Sequence, residues 1–326
     1  MSTATAQAFA NIAFVKYWGN RDNALRLPMN GSISMNLDGL FTRTTVSFQR
    51  SLPYDELIIN GHEVRGAGSD RISYVLDIIR DMANIQERAE VMSENNFPSG
   101  AGIASSASAF AALAVAGSQA AGLSLNEQGL SRLARRGSGS ASRSIPGGFV
   151  EWQMGTGDED SFAFTIAEPA HWKLVDCIAI VSTAHKKTGS TEGHSIAPSS
   201  PLQAARVADA PRRLEICRKA ILECDFNTLA SIVELDSDMM HAVMMTSIPA
   251  LHYWKPASLE VMQCVRQWRM EGIPACYTLD AGPNVHVICP ETEAHLIDQR
   301  LREIKGVENV LVARVGGPAK VVNGSR

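Results

Sequence analysis

The chain has 326 residues, of which 45% are hydrophobic and 20% charged, with a net charge of −4. This is the make-up of an ordinary globular protein, long enough for two domains. The near-neutral charge excludes a basic surface for nucleic acid or acidic membranes. The longest apolar stretch, 109–116, is far too short to span a bilayer.

The opening MSTATAQAFANIAFVKYW lacks a basic segment followed by a long apolar run, so no signal peptide is expected and the cytoplasm is the expected location. RTTVSFQR and YDELIIN alternate as strands do, RISYVLDIIRDMA has helical apolar spacing, and AEVMSENNFP reads as a strand stopped by Pro98. Ala104 to Ala121 is an alanine-rich helix ended by Gly122. SLNE, Ser124 to Glu127, reads as a capping box that starts a helix ended by Gly137. PGGFVEWQM, DSFAFTIAE and WKLVDCIAIVST follow as three strands.

AHKKTGSTEGHSIAPSSP reads as a long loop, the kind used as a linker or an active-site lid. Helices are expected over 202–223, 226–246 and 257–270, the first kinked or split by Pro211. ACYTLDAGPNVHVICP reads as strand, tight turn, strand; ETEAHLIDQRLREI is a helix and VENVLVARV a last strand. The order of elements is α+β, with two mixed domains, 1–185 and 186–326. The six cysteines form no CxxC pair and read as buried free thiols. The eight histidines have no HxxxH or HExxH spacing, which argues against a protein-built zinc site.

FPSGAGIASSASAFAALAVAG, residues 97–117, joins glycines and serines to the start of a helix. A helix N-terminus points unpaired N–H groups outward with partial positive charge, glycines allow close backbone approach, and serines add hydroxyls. The segment lacks the lysine of a Walker loop, and Ser105 stands where a Rossmann fingerprint has its third glycine. On the residues alone, an anion cradle and a tightly packed small-residue helix carry similar weight.

PSGAGIASSASAFAALA resembles the PxxxGLASSAA phosphate loop of the GHMP kinase superfamily, and most closely that of its mevalonate diphosphate decarboxylase branch. ANIAFVKYWGNRDNALRLPMNGSISMNL, SRLARRGSGSASRSIPGGFVEW, DSDMMHAVMM and YTLDAGPNVHVI resemble further motifs of that family, in the same order. The resemblance implies a GHMP kinase fold with a deep cleft between two domains, ATP and Mg2+ as cofactors, and a homodimer. It implies ATP phosphates at Pro98, Gly100, Ala101, Gly102, Ala104, Ser105 and Ser106, with the Ser106 hydroxyl nearest the metal.

The family's reaction phosphorylates the tertiary 3-hydroxyl of a mevalonate derivative, then releases phosphate and CO2 to leave an alkene. The resemblance points to Asp280 as the base, although the residues alone favour a turn aspartate before Ala-Gly-Pro-Asn. It points to Arg143 as the fork that holds the substrate carboxylate, and to Lys16 as the cation that keeps Asp280 ionised. Tyr17, Asn20, Arg21, Ser138, Ser140, Ser190 and Thr191 match substrate-binding positions. Trp18 and the methionines of DMMHAVMM read as core, and His241 as a structural histidine.

The chain also departs from the family. Asn20 stands where the first motif has a lysine, Thr191 where many bacterial members have an arginine, and Asp238 where asparagine is usual. Each lost charge-assisted contact is worth ~1.5–3 kcal/mol. Two fewer cations and one more anion fit a substrate with fewer phosphates, as in the phosphomevalonate decarboxylases, which turn 5-phosphomevalonate into isopentenyl phosphate. A diphosphomevalonate decarboxylase, a mevalonate 3-kinase that does not decarboxylate, and a non-catalytic GHMP-fold binding protein are the alternatives.

Overall fold

In the computed structural model the described residues are 3–97, 105–184 and 189–322. The first long strand, β1 (Thr3–Val15), lies antiparallel to β4 (Ser32–Gln49), and a small ribbon of β2 (Asn20–Asp22) and β3 (Leu27–Pro28) sits between them in sequence. β4 is the spine. It also pairs with β7 (Arg88–Asn95), β8 (Phe149–Trp152) and β13 (Asn309–Val315). β5 (Glu56–Ile59) lies parallel to β7 and carries β6 (His62–Glu63), and β9 (Ala163–Ala167) extends β8. β10 (Leu174–Ile180) sits between β12 (Val285–Pro290) and β13, β11 (Cys276–Thr278) pairs with β12, and β14 (Lys320–Val322) returns to β1. One twelve-stranded mixed sheet thus runs through both halves of the chain.

Helices cover the sheet according to their apolar faces. α1 (Ala67–Ala83) and α2 (Ser105–Ala120) bury Ile72, Val75, Leu76 and Ile79 against Ala111, Ala112, Leu113 and Ala116. α2 is buried nearly all round, because its alanines allow close approach, and a side chain at Gly117 would strike Ile79 Cδ1 at 2.7 Å. α3 (Glu127–Gly137) leads into a 3-10 turn, Gly139–Ser144. α4 (Ser190–Ile196) and a 3-10 turn precede the long pair α5 (Gln203–Glu223) and α6 (Phe226–Thr246), while α7 (Pro256–Met270) and α8 (Ala294–Glu303) complete the second half.

Several expectations need correction. The cap of α3 is Asn126, whose carboxamide accepts the Gly129 N–H, rather than Ser124. The stretch read as a loop is largely α4 and a 3-10 turn, because it docks on Tyr17 and Trp18: His194 stacks on Tyr17 at 4.0 Å, and Gly193 packs under Trp18. Pro211 does not split α5. Only one ladder donor is lost, and Arg213 bridges the site to Asp209 at 2.7 Å. β13 is not the last strand, since β14 follows. All six thiols are free, but only four are buried: Cys224 is exposed and Cys264 half-buried. Among the described residues no helix is long and apolar enough to cross a membrane.

Gly148 leads into β8 with φ of +77°, and a Cβ there would meet the Ala167 carbonyl oxygen at 2.2 Å. Gly148→Ala should lower the unfolding free energy by about 2–4 kcal/mol. Gly39→Ala, also at positive φ (+94°) but with open space around it, should cost only about 1–2 kcal/mol. Urea unfolding of the two variants separates clash from backbone strain, and equal losses would contradict this reading.

Candidate active site

A cavity of about 240 Å³ opens where the two halves of the chain face each other. Its walls come from the end of β1, the start of α2, the 3-10 turn after α3, the start of α4, one face of α6 and the turn after β11. Lys16 is the first residue past β1 and Asp280 lies two residues past β11, so each leaves a strand end where the ladder no longer fixes it.

The Lys16 ammonium donates to Asp280 Oδ1 at 2.7 Å. Lys16 is 1% exposed and the Asp280 side chain 27%, so the cation stays dry while the carboxylate opens into the cavity. Burial pushes the ammonium below its ordinary 10.5, and Asp280 and Asp236 offset only part of that. Burial alone would raise the Asp280 carboxyl, but Lys16, with His286 and Arg143, reverses the balance and holds it below its ordinary 3.8.

Arg143 sits in the 3-10 turn, fully buried. Its guanidinium donates to Ser32 Oγ at 2.7 Å and Asn11 Oδ1 at 3.3 Å, and its Nε is buried without a partner. Among the described residues it has no carboxylate within ion-pair distance. Burial pushes it down to about 10, with Asp280 and Tyr17 pulling upward, so it stays cationic at neutral pH. Asn11 is itself fixed by bonds to Ser144 Oγ and the Ser140 carbonyl.

Hydroxyls line the cavity as well. Ser106 and Ser138 are 3.3 Å apart, as are Ser138 and Ser140, forming a row from the start of α2 into the turn. The first turn of α2 carries no acidic side chain, so its partial positive charge is unopposed. Ser105, Ser190 and Thr191 also border the cavity. Pro98, Gly100, Ala101, Gly102 and Ala104 lie outside the described residues. Among the described residues no group of three His, Cys, Asp or Glu side chains could hold a metal.

The anionic end differs from expectation. Asn20 is not a wall residue; its amide oxygen accepts the Tyr17 hydroxyl, and Tyr17 is the wall. Arg21 is exposed and donates to the Met154 and Gly155 carbonyls at 3.1 and 2.8 Å, so it does not compensate for the missing lysine inside the cavity. Asp238 also lies off the wall, bonded to the Tyr277 hydroxyl and paired with Arg266, so it adds no negative charge there. Met240 packs in the core and borders the cavity as well, and Trp18 does the same. His241 is buried, and burial with the nearby Lys16 pushes it down to about 3, which keeps it neutral.

Two cations were missed in the sequence. Arg26 and Arg71 border the cavity and donate to the carbonyls of Arg136 and Gly137, respectively. Neither has a carboxylate within ion-pair distance among the described residues. Burial, with Arg26 as neighbour, pushes Arg71 down to about 10. Gly139 was quoted only as part of a motif, yet a Cβ there would meet the Tyr17 ring at 2.5 Å.

The chain matches the family model of the diphosphomevalonate decarboxylase-like N-terminal domain over residues 8–163 and that of the mevalonate 5-diphosphate decarboxylase C-terminal domain over 177–319. It is 40% identical to a diphosphomevalonate decarboxylase of Candida albicans, over 89% of this chain and 85% of the relative. It is 35% identical to a phosphomevalonate decarboxylase of Haloferax volcanii, over 99% of this chain and 98% of the relative. Its fold superposes on mevalonate diphosphate decarboxylase from Staphylococcus aureus with a TM-score of 0.94 at 36% identity, over 99% of this chain and 98% of that one. A structure of MDDEF in complex with MVAPP, AMPPCP and magnesium superposes with a TM-score of 0.93 at 36% identity, over 99% of both chains.

The electrostatics set a pH limit. Lys16 holds Asp280 only while protonated, and its lowered pKa means that the proton is lost below 10.5. Phosphate groups are fully ionised above pH ~7 and add no alkaline limb, and burial moves Tyr17 upward, out of this window. Arg143 and Arg71, pushed down to about 10, titrate in the same range as Lys16, so the alkaline limb of kcat/KM should fall below 10.5 as the site's cations lose their protons. A limb at or above that value would contradict the assignment.

Proposed function

Because this chain belongs to the mevalonate diphosphate decarboxylase family of the GHMP kinase superfamily, we propose that it decarboxylates (R)-5-phosphomevalonate, using ATP and releasing isopentenyl phosphate, CO2, ADP and phosphate. The ATP-dependent decarboxylase activity on a mevalonate phosphate follows from the family; the choice of the monophosphate is our reading.

The geometry of the site supports the following roles. Lys16 occupies Asp280 Oδ1, which leaves Oδ2 to accept the proton of the substrate's 3-hydroxyl as its oxygen attacks the γ-phosphorus of ATP and ADP departs. Once phosphorylated, that oxygen leaves with phosphate as the C3–O bond breaks. The C1–C2 bond breaks in turn, its electron pair becomes the second bond of the C2–C3 alkene, and C1 departs as CO2. Arg143 spends two of its donors on Ser32 and Asn11, and its remaining N–H groups, Nε included, suit the C1 carboxylate. Asn11 and Ser32 keep the guanidinium plane from turning.

The start of α2, with Ser105 and Ser106, suits the ATP phosphates. Magnesium would arrive with those phosphates, and the Ser106 and Ser138 hydroxyls are the oxygens that fit it. Bound there it neutralises phosphate charge during the transfer. We take residues 1–185 and 186–326 as two domains that both line the cavity, joined by the pairing of β10 with β12 and β13.

Charge at the substrate's far end supports the monophosphate. Asn20 is neutral and acts only through Tyr17, Thr191 on the wall is neutral, and Arg21 is committed to backbone carbonyls. The similarity to the Haloferax phosphomevalonate decarboxylase, which extends over nearly the whole of both chains, agrees with this. Two observations favour the other reading, decarboxylation of 5-diphosphomevalonate. Arg26 and Arg71 are cations without a carboxylate partner among the described residues, suited to a second phosphate, and identity to the Candida diphosphomevalonate decarboxylase is higher, 40% against 35%.

Competition between the two substrates decides the matter. The kcat/KM ratio should favour 5-phosphomevalonate about 10-fold or more, the value of one charge-assisted contact. Asn20→Lys should move the ratio toward the diphosphate by a few-fold only, since an added cation near a solvated phosphate is screened. A wild-type preference for the diphosphate overturns the monophosphate reading. Asp280→Asn should fold normally and lose about 10³-fold or more in kcat. Arg143→Lys should lose about 10²-fold, because a point charge cannot copy the fork. Accumulation of a 3-phosphorylated product without CO2 would overturn the decarboxylation itself.

A further inference from the structure

The base and its cation come from positions 264 residues apart, and neither is held by a strand ladder. Their backbones are held from α6 instead. Asp236 Oδ1 accepts the Lys16 main-chain N–H at 2.7 Å. The next residue, Ser237, accepts the Leu279 N–H through Oγ at 3.0 Å, one residue before Asp280. Asp236 and Ser237 are completely buried and do not border the cavity.

Asp236 is in turn fixed. Arg213 Nε donates to its Oδ2 at 2.7 Å, with Arg213 also fully buried. Arg206 and Asn30 donate to the Lys16 carbonyl at 2.7 and 3.0 Å, so both sides of this residue's backbone are gripped by buried polar side chains. Three buried ionic side chains under one residue are expensive to desolvate, and an apolar core of similar volume would be as stable or more so. That cost has an explanation if the network serves geometry rather than stability.

We propose that Asp236 and Ser237 are positioning residues for the reaction, setting from one turn of α6 the distance between the Lys16 ammonium and the Asp280 carboxylate. They touch no substrate. They fix where the two strand ends stop, and so where the base meets the 3-hydroxyl. The inference rests on Asp280 being the base, as argued above. A shift of well under a residue length at either backbone would leave both binding walls in place while misaligning the proton acceptor, and misplacements of about 1 Å cost on the order of 10²-fold in rate.

Steady-state kinetics of the full chain tests this, with ATP and whichever of 5-phosphomevalonate or 5-diphosphomevalonate the wild type turns over faster. Ser237→Ala deletes one buried hydroxyl and should fold. Its kcat should fall about 10-fold while KM for ATP and for the mevalonate phosphate stay within about twofold. Asp236→Asn, where it folds, should fall about 10²-fold in kcat with the same KM pattern; where it does not fold, Ser237→Ala alone decides. A Ser237→Ala kcat within twofold of wild type overturns the proposal, and so does a loss carried by KM. Asp280→Asn is run alongside. If it is inert while Ser237→Ala is normal, the positioning role fails and the base assignment stands. If Asp280→Asn stays active, the base assignment itself has failed.

Discussion

The contact on which the site depends is the ion pair between Lys16 and Asp280. A buried ammonium without a partner would lose several kcal/mol of solvation. A pair alone roughly recovers that, no more. Here the exposure is uneven, 1% for Lys16 and 27% for Asp280. The cation is committed to one carboxylate oxygen, and water cannot compete for it. The carboxylate keeps its charge, yet still faces the space where a hydroxyl would arrive. A surface pair would be screened and mobile; a pair with both members sealed could not reach a substrate. The strand ends that carry the two groups, and the α6 side chains that hold those ends, exist in this arrangement to keep that asymmetry.

The arginines divide in a related way. Arg206, Arg213 and Arg269 meet carboxylates in the core or at its edge. Among the described residues Arg26, Arg71 and Arg143 meet only neutral acceptors, and all three border the cavity. A guanidinium drawn out of water without a counter-ion raises the energy of the empty site, and the same loss of solvent pushes buried Arg143 and half-buried Arg71 down to about 10. An incoming anion removes that penalty, so part of the binding energy is stored in the protein before the ligand arrives. The donors are also already oriented, so little reorganisation remains at the moment of reaction.

Much of the fold was legible in the sequence because it is local. The 3.6-residue spacing of Ile72, Val75, Leu76 and Ile79 marks α1, and Gly122 closes the helix before it. α4 was not legible, because its order comes from Tyr17 and Trp18, which contact His194 and Gly193 from the other half of the chain. The cap at Asn126 was missed because Ser124 offers the same chemistry two residues earlier. In the site, Lys16, Arg143, Asp280 and the serines were readable from motifs with fixed spacing. Arg71 was not, since it is an ordinary polar residue in an amphipathic helix until folding brings it beside Arg26. Asp236 and Ser237 open the DSDMMHAVMM motif, but no role for them was readable there, because what they hold is the backbone of residues far away in sequence. The Asp238 change looked electrostatic in sequence; the fold turns that side chain toward Arg266 and removes the argument.

The placement of Asn20 explains how one site can keep its chemistry while its far end changes. Tyr17 is wedged between Trp152, edge-on at 4.8 Å, and His194, stacked at 4.0 Å, with Gly139 beneath it. Its ring is therefore fixed by packing, and only its hydroxyl responds to the residue at position 20. A lysine there would bring a charge toward the cavity; asparagine brings a hydrogen-bond acceptor that orients a neutral hydroxyl. Neither choice touches β1 beyond Val15, the turn after β11 or the Arg143 turn. On the proposed reading, substrate charge and bond-breaking chemistry fall to separate side chains around one cavity, so a change at position 20 leaves Lys16, Asp280 and Arg143 undisturbed.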